Sequence, residues 1–332
     1  MTTCDAGAMR RSFRERIHGK LLPAVPVPMT ADYAIHRKAQ DAYVRYMSSH
    51  QVGGVAVWAH TGRGLHLERD TRMEIMKSWR DGFSDGRLVI AGVGALPDAT
   101  LPEDKRLSKF QDDTVRMAED ALEAGADAFL VYAPVIYRDR PDQDELVADY
   151  HRRLAQYGVP LVLFYLYRGA GGISYSHELL DALMSIPQAC AIKLATLDSV
   201  TTYQDVARAI NEKHPDLSLI TGEDRMVGYT LMRGGVSALI GMGSACTKPQ
   251  VDLLNHWFSG NAAAFLDLSS KVDDFSEVTF AKPMDWYIIR QLWCLVLEGV
   301  IPEDAAHDVL GRTISRDEVR LLEATMKRLG WL

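Results

Sequence analysis

Thr114-Val115-Arg116-Met117-Ala118-Glu119-Asp120-Ala121-Leu122-Glu123-Ala124 is followed by Gly125 and then by Ala128-Phe129-Leu130-Val131-Tyr132-Ala133-Pro134. The first stretch has helical spacing and stops at a glycine, the residue that most readily takes the left-handed backbone past a helix end. The second is a short apolar run of strand length, as suits a parallel strand covered on both faces. A polar helix handing over to a buried strand is one unit of an α/β fold.

Apolar runs of the same kind recur at 21–28, 53–59, 88–94, 160–166, 190–196, 217–223 and 238–244. The segments between them are long enough for a helix and two loops, and one of them, 144–157, again stops at a glycine, Gly158. Eight such units predict a (β/α)8 TIM barrel of about 240 residues. A doubly wound open sheet is the alternative, but no GxGxxG follows the first strand to favour it. The expected division is an N-terminal arm over 1–20, the barrel over 21–259 and a C-terminal helical appendage over 260–332, with helices predicted at 262–275, 284–297 and 316–329. The middle one carries Trp286, Ile288, Ile289, Leu292, Trp293 and Leu297, more apolar bulk than a surface helix needs. That leaves two readings, a subunit contact or packing on the barrel wall.

The chain has 332 residues, 47% of them hydrophobic and 24% charged, which allows a sizeable core. With 37 basic against 44 acidic residues and a net charge of −7 it has no electrostatic footprint for nucleic acid. Residues 1–20 hold Arg10, Arg11, Arg14 and Arg16 but no apolar core of a secretory signal, so a mobile arm or a short helix docking on a neighbour is expected. No segment approaches the roughly 20 apolar residues of a membrane span. Cys4, Cys190, Cys246 and Cys294 are scattered without zinc or CxxC spacing, consistent with free thiols in a reducing cytoplasm.

Lys193 stands alone in Cys190-Ala191-Ile192-Lys193-Leu194-Ala195-Thr196. Burial disfavours an ammonium, so a lysine turned into an apolar interior has a lowered pKa and a larger share of nucleophilic free amine, ready to form an imine with a carbonyl compound. The alternative is an edge position, or a stem laid along apolar surface with its head in water. In a barrel the chemistry sits where the strands end. The residues there are His60, Thr61, Gly62 and Arg63 after the second run, Tyr165 and Arg168 around the end of the fifth, and Glu223 and Asp224 after the seventh. Glu223 and Asp224 open a helix, where carboxylates cap or act on substrate. Arg63, Arg168 and Arg225 on one rim would suit a carboxylate-bearing substrate.

These landmarks resemble the dihydrodipicolinate synthase and N-acetylneuraminate lyase superfamily of class I aldolases. The likeness rests on Gly92-Val93-Gly94-Ala95, Glu123-Ala124-Gly125-Ala126-Asp127-Ala128, a tyrosine in the fifth run, Ile192-Lys193, the Gly234-Gly235 turn and the helical C-terminus. It implies that Lys193 binds a 2-oxo acid as a Schiff base and that Tyr165, 28 residues before it, shuttles protons; a count from Pro160 instead reaches Phe164, which cannot transfer a proton. The family's Gly-Thr-Thr-Gly-Glu turn reads Ala59-His60-Thr61-Gly62-Arg63, so Thr61 and Gly62 would hold the substrate carboxylate. His60 replaces a proton-relaying hydroxyl, where an imidazole either does similar work near neutral pH or is a satisfied structural histidine, and Arg63 either welcomes an anion or pairs with a neighbouring acid.

Two departures argue against dihydrodipicolinate synthase itself. Its Pro-Tyr-Tyr segment reads Pro134-Val135-Ile136 with Tyr137 one place late, and its clamping arginine is out of register at Arg168. The resulting expectation is a cytoplasmic class I lyase, aldolase or dehydratase, acting on pyruvate or a 2-oxo sugar acid, with no metal and no organic cofactor. The resemblance also implies a homotetramer. The rivals are a metal-dependent aldolase or hydrolase on the same barrel, for which only His60 and His66 cluster, and a non-catalytic protein that binds a sugar acid.

Overall fold

In the computed structural model, which describes residues 6–197 and 199–332, seven strands form one parallel sheet in sequential order. They are β1 (Gly54–Val57), β2 (Leu88–Val93), β3 (Ala128–Val131), β4 (Leu161–Leu166), β5 (Ala189–Ala195), β6 (Ser218–Thr221) and β7 (Ser237–Ala238). Parallel neighbours need a crossover. A helix supplies each one: Arg69–Gly82, Glu103–Glu123, Gln143–Ala155, His177–Met184, Val200–Lys213 and Val227–Met232. Gly125 and Gly158 take left-handed φ values of 88° and 72° just past two of these helices, where the sequence places the stops.

The anticipated first strand, 21–28, is not a strand. Pro23, Pro26 and Pro28 have no N–H to give to a ladder, and the segment makes only isolated bridges, Leu21 to Ala238 and Ala24 to Ala56. Its backbone nonetheless reaches both ends of the curled sheet: Leu22 N–H donates to Ala238 O at 2.7 Å and Val25 N–H to Ala56 O at 3.1 Å. The anticipated last strand, 238–244, shrinks to β7 because Met242–Ser244 wind into a 3-10 turn. There the Met242 N–H is taken by the Asp224 carboxylate and the Met242 carbonyl by Gln250. Among the described residues, seven strands, not eight, therefore make up the sheet.

Alternate residues divide the sheet into two buried faces. Val89, Ala91 and Val93 of β2, Phe129 and Val131 of β3, and Leu161 and Leu163 of β4 pack outward under the helices. Leu88, Ile90, Ala128, Leu130, Val162, Phe164, Ala191 and Ala195 pack inward on one another. The described part of the N-terminal arm is a helix, Ala6–Ile17, docked on its own chain. Its Phe13 and Ile17 join the inward cluster. Buried Arg10 donates to the carbonyls of Ala189, Met184 and Ile186 and to Asp216 at 2.6 Å, which fixes the helix against the start of β5.

Beyond the helix Thr247–Phe258 come Ala262–Thr279, Tyr287–Leu297 and Arg316–Leu329, which pack on one another. Ile288, Ile289 and Leu292 of the apolar middle helix are buried within this chain, and Trp286, Trp293 and Leu297 are partly buried against the same core. Buried Arg290 ties the region together. Its guanidinium donates to the carbonyls of Thr279, Ala281 and Pro283 and to Glu318, which holds the turn at 280–286 in place. Cys190, Cys246 and Cys294 are buried, while Cys4 lies outside the described residues. Among the described residues no helix is long and apolar enough to cross a membrane.

Candidate active site

Lys193 lies on β5 between Ala191 and Ala195, both members of the inward cluster, and by the two-residue period of a strand its side chain shares their face. It is 7% exposed. Neighbouring positions are Phe164 on β4 and Ile220 on β6. Its Nζ sits over the Phe164 ring, 4.3 Å from the centroid. Burial pushes the amine down to about 8, against the opposing pull of Asp224 and Glu223. Among the described residues no hydrogen bond or ion pair ties the ammonium, so only a ring face and nearby carboxylates offset its desolvation. Gly222 makes room for it: a Cβ there would stand 2.7 Å from Lys193 Cε.

The amine opens into a cavity of about 530 Å³ whose wall includes His60, Thr61, Arg63, Phe164, Asp224 and Tyr287. His60, Thr61 and Gly62 form a 3-10 turn after β1, and Arg63 follows in the left-handed region with φ 52°. The His60 ring is half-buried, and its Nε2 lies 2.8 Å from Asp285 Oδ1. Burial and the cations Arg63, Lys193 and Arg312 hold this imidazole down at about 3. Thr61 Oγ1 and Tyr287 Oη share a hydrogen bond of 2.7 Å. Gly62 fits closely under Val25, whose carbonyl a Cβ would meet at 2.9 Å, and stays behind the cavity wall. Arg63 takes the second of its two anticipated roles. It bonds Asp308 at 2.8 Å and Asp285 at 3.1 Å, and Arg312 adds a second guanidinium to Asp285.

Three anticipated site residues lie elsewhere. Tyr165 belongs to the outward cluster, its ring edge-on to Tyr175 at 5.4 Å, and Phe164 holds the inward place beside Lys193. The cause is a one-residue bulge: Leu161 pairs with Ala189 but Val162 pairs with Ala191, so Cys190 is an extra residue and a count from Lys193 lands one place off. Glu223 neither caps a helix nor lines the cavity. Fully buried, it accepts hydrogen bonds from the Thr196 backbone and hydroxyl and from Leu197 N–H at 2.9 Å, which anchors the loop after β5, and burial raises it to about 7. The next helix begins at Val227 with no side-chain cap. Arg168 sits in an exposed 3-10 turn and pairs with Asp139 at 2.9 Å, outside the cavity. Arg225 is also exposed and faces Glu277, so of the three rim arginines only Arg63 reaches the cavity.

The inward partner of Glu223 is Asp224, two places past Gly222 on the same face. Its carboxylate accepts the Met242 N–H at 2.7 Å, and burial raises it to about 6. Sequence reasoning missed Asp285, Tyr287, Phe280, Met284 and Arg312, all from the C-terminal region. No local pattern marks them, because they reach the cavity only through the Arg290-anchored turn, the helix that follows it and, for Arg312, the segment before Arg316–Leu329. Tyr167 closes the same side, its hydroxyl 3.1 Å from Met284 Sδ. Among the described residues no group of three or more His, Cys, Asp and Glu is placed to hold a metal ion.

Residues 18–305 match the sequence profile of the Dihydrodipicolinate synthetase family. A 4-hydroxy-tetrahydrodipicolinate synthase of Bifidobacterium longum is 25% identical over 286 residues, 86% of each chain. A probable mitochondrial 4-hydroxy-2-oxoglutarate aldolase of Emericella nidulans is 26% identical over 72% of this chain and 75% of its own. Among solved structures, YagE, a prophage protein of the dihydrodipicolinic acid synthase family from E. coli K12 in complex with pyruvate, superposes with a TM-score of 0.81 at 19% identity, covering 94% of this chain and 99% of its own. The N-acetylneuraminate lyase of Mycoplasma synoviae gives 0.75 at 18% identity, covering 95% and 97%.

Proposed function

The chain belongs to the dihydrodipicolinate synthetase family and is an enzyme of the lyase class; we propose that it is a class I lyase whose Lys193 forms a Schiff base with a 2-oxo acid such as pyruvate or a 2-oxo sugar acid. The free amine attacks the C2 carbonyl, water leaves, and the protonated imine becomes an electron sink. A C–C bond can then break by retro-aldol cleavage, or a 3-hydroxyl can leave as water. The Thr61 turn is read as the carboxylate site, since its hydroxyl faces the same cavity and its partner Tyr287 fixes it.

The observation that carries this reading is a buried lysine amine in an open cavity, held against a phenyl face with no hydrogen-bonding partner among the described residues. Borohydride reduction in the presence of pyruvate, read by intact mass and peptide mapping, is expected to leave a permanent adduct on Lys193. An unchanged mass overturns the imine. A non-catalytic binding protein would keep ligand-induced stabilisation in Lys193→Ala, whereas the lyase loses both adduct and turnover.

The same reading takes 21–259 as a barrel of seven strands whose ends are bridged by the backbone of Leu22 and Val25, 260–332 as its helical appendage, and the assembly as a cytoplasmic homotetramer. Light scattering that returns a mass other than four chains would correct the last of these.

A further inference from the structure

Imine chemistry needs a group that takes a proton from substrate, and the side chain beside Lys193 on β4, Phe164, cannot do it. The mouth of the cavity holds an arrangement that can. His60 Nε2 lies 2.8 Å from Asp285 Oδ1, and a carboxylate with two guanidinium partners, Arg63 and Arg312, accepts hydrogen bonds there. Nε2 therefore carries the hydrogen, and Nδ1 is left with a lone pair. The ring plane is fixed a second time by Tyr287, stacked at 6.3 Å with 19° between the planes. Asp285 is itself immobilised by Arg63, which Asp308 holds from its other side.

We propose that His60, oriented by Asp285, is the base that removes the C3 proton of the imine formed on Lys193, a role that rests on the Schiff-base reading above. The step balances simply. The C3–H proton moves to Nδ1, its electron pair forms the C2=C3 bond, and the C2=N pair returns to nitrogen, giving a neutral enamine; the reverse step returns a proton, or a deuteron from heavy water, to C3. Burial and the cations Arg63, Lys193 and Arg312 keep the resting imidazole in its neutral form. Asp224 and His66 line the same cavity, and buried Asp308 acts on the ring from behind its wall. The Thr61 and Tyr287 hydroxyls are engaged with each other, and burial raises the phenol further, away from service as a base. Asp285 is a positioning residue, acting through the ring.

Pyruvate in heavy water separates the two steps. Borohydride trapping reads imine formation alone, and deuterium gain at the pyruvate methyl group reads proton removal. His60→Gln is expected to keep the trapped adduct and lose exchange by about 100-fold or more. Asp285→Asn is expected to keep the adduct and lose exchange by a smaller factor, with the pH profile of exchange displaced, which loss of packing would not do. If the adduct persists and exchange in His60→Gln equals that of the unaltered protein, the proposal is overturned. It is overturned as well if His60→Gln loses the adduct together with exchange, or if Asp224→Asn alone abolishes exchange. Absence of an adduct in the unaltered protein would instead remove the imine reading itself and this step with it.

Discussion

Two buried cations stand at opposite ends of the sheet interior, and they are treated in opposite ways. At the N-terminal end, the Arg10 guanidinium is satisfied by three backbone carbonyls and Asp216. At the C-terminal end, Lys193 has a phenyl ring beneath its nitrogen and carboxylates nearby, but no direct bond among the described residues. A cation surrounded by acceptors holds structure together; one left without them stays reactive and costs stability. Arg10 closes the bottom of the sheet by pinning a helix across it, and Lys193 leaves the top open to a ligand.

Exchanging each cation for methionine separates these roles most sharply. Lys193→Met is expected to abolish the borohydride-trapped adduct completely while making the fold more stable. The amine is lowered from 10.5 to about 8, so the unfolded chain holds this proton more tightly than the folded one. Below pH 8 that costs about 3 kcal/mol, and the cost fades as pH rises to the unfolded value near 10.5. Denaturant titration at neutral pH should recover a gain of about 1–3 kcal/mol that vanishes in strong alkali; a loss of stability at neutral pH would contradict the account. Arg10→Met is expected to do the reverse. It strands buried carbonyls and should cost about 2–4 kcal/mol, with adduct formation per folded molecule unchanged.

The same contrast explains what the chain discloses before it is folded. The helix ending at Gly125 and the alternating apolar runs depend on neighbours in sequence, and both are legible there. Lys193 is legible for the same reason, as a charge in an apolar run. The prolines at 23, 26 and 28 are equally local, and their missing donors mark 21–28 as a poor ladder strand despite its apolar composition. Phe164 and Tyr165 differ by one place in parity, and the bulge at Cys190, which decides between them, has no local signature. For Glu223 and Asp224 the period-2 pattern through Ile220 and Gly222 already favours Asp224. Asp285, Tyr287 and Arg312 had no such cue. Asp285 and Tyr287 meet His60, Thr61 and Arg63 across more than two hundred residues, Arg312 joins them through Asp285, and only the folded chain brings them together.

The carboxylate near Lys193 sharpens the comparison by a smaller amount. Asp224 favours the ammonium form and opposes burial. Adduct formation should therefore rise with pH as the amine loses its proton, with a midpoint at about 8 in the unaltered protein. Asp224→Asn removes the stabilising charge, so the midpoint should move down by about one unit. A midpoint that stays in place or moves up would mean that Asp224 does not sense the amine.

The ring under the amine should have the smallest effect, because it acts on two states at once. Phe164 presents its face to Lys193 Nζ at 4.3 Å, and such a contact favours any cation placed there by about 0.5–1 kcal/mol. Both the resting ammonium and the protonated imine are cations. In Phe164→Leu the ammonium is destabilised, which frees amine, and the imine is destabilised too, which disfavours adduct. At neutral pH these changes oppose each other, and trapping at limiting pyruvate should differ little from the unaltered protein. In alkali the amine is already free in both proteins, so only the imine term survives, and trapped adduct should fall about two- to five-fold. A deficit that grows with pH is therefore the signature of a ring that serves the charge, and an equal deficit at every pH would reduce Phe164 to packing.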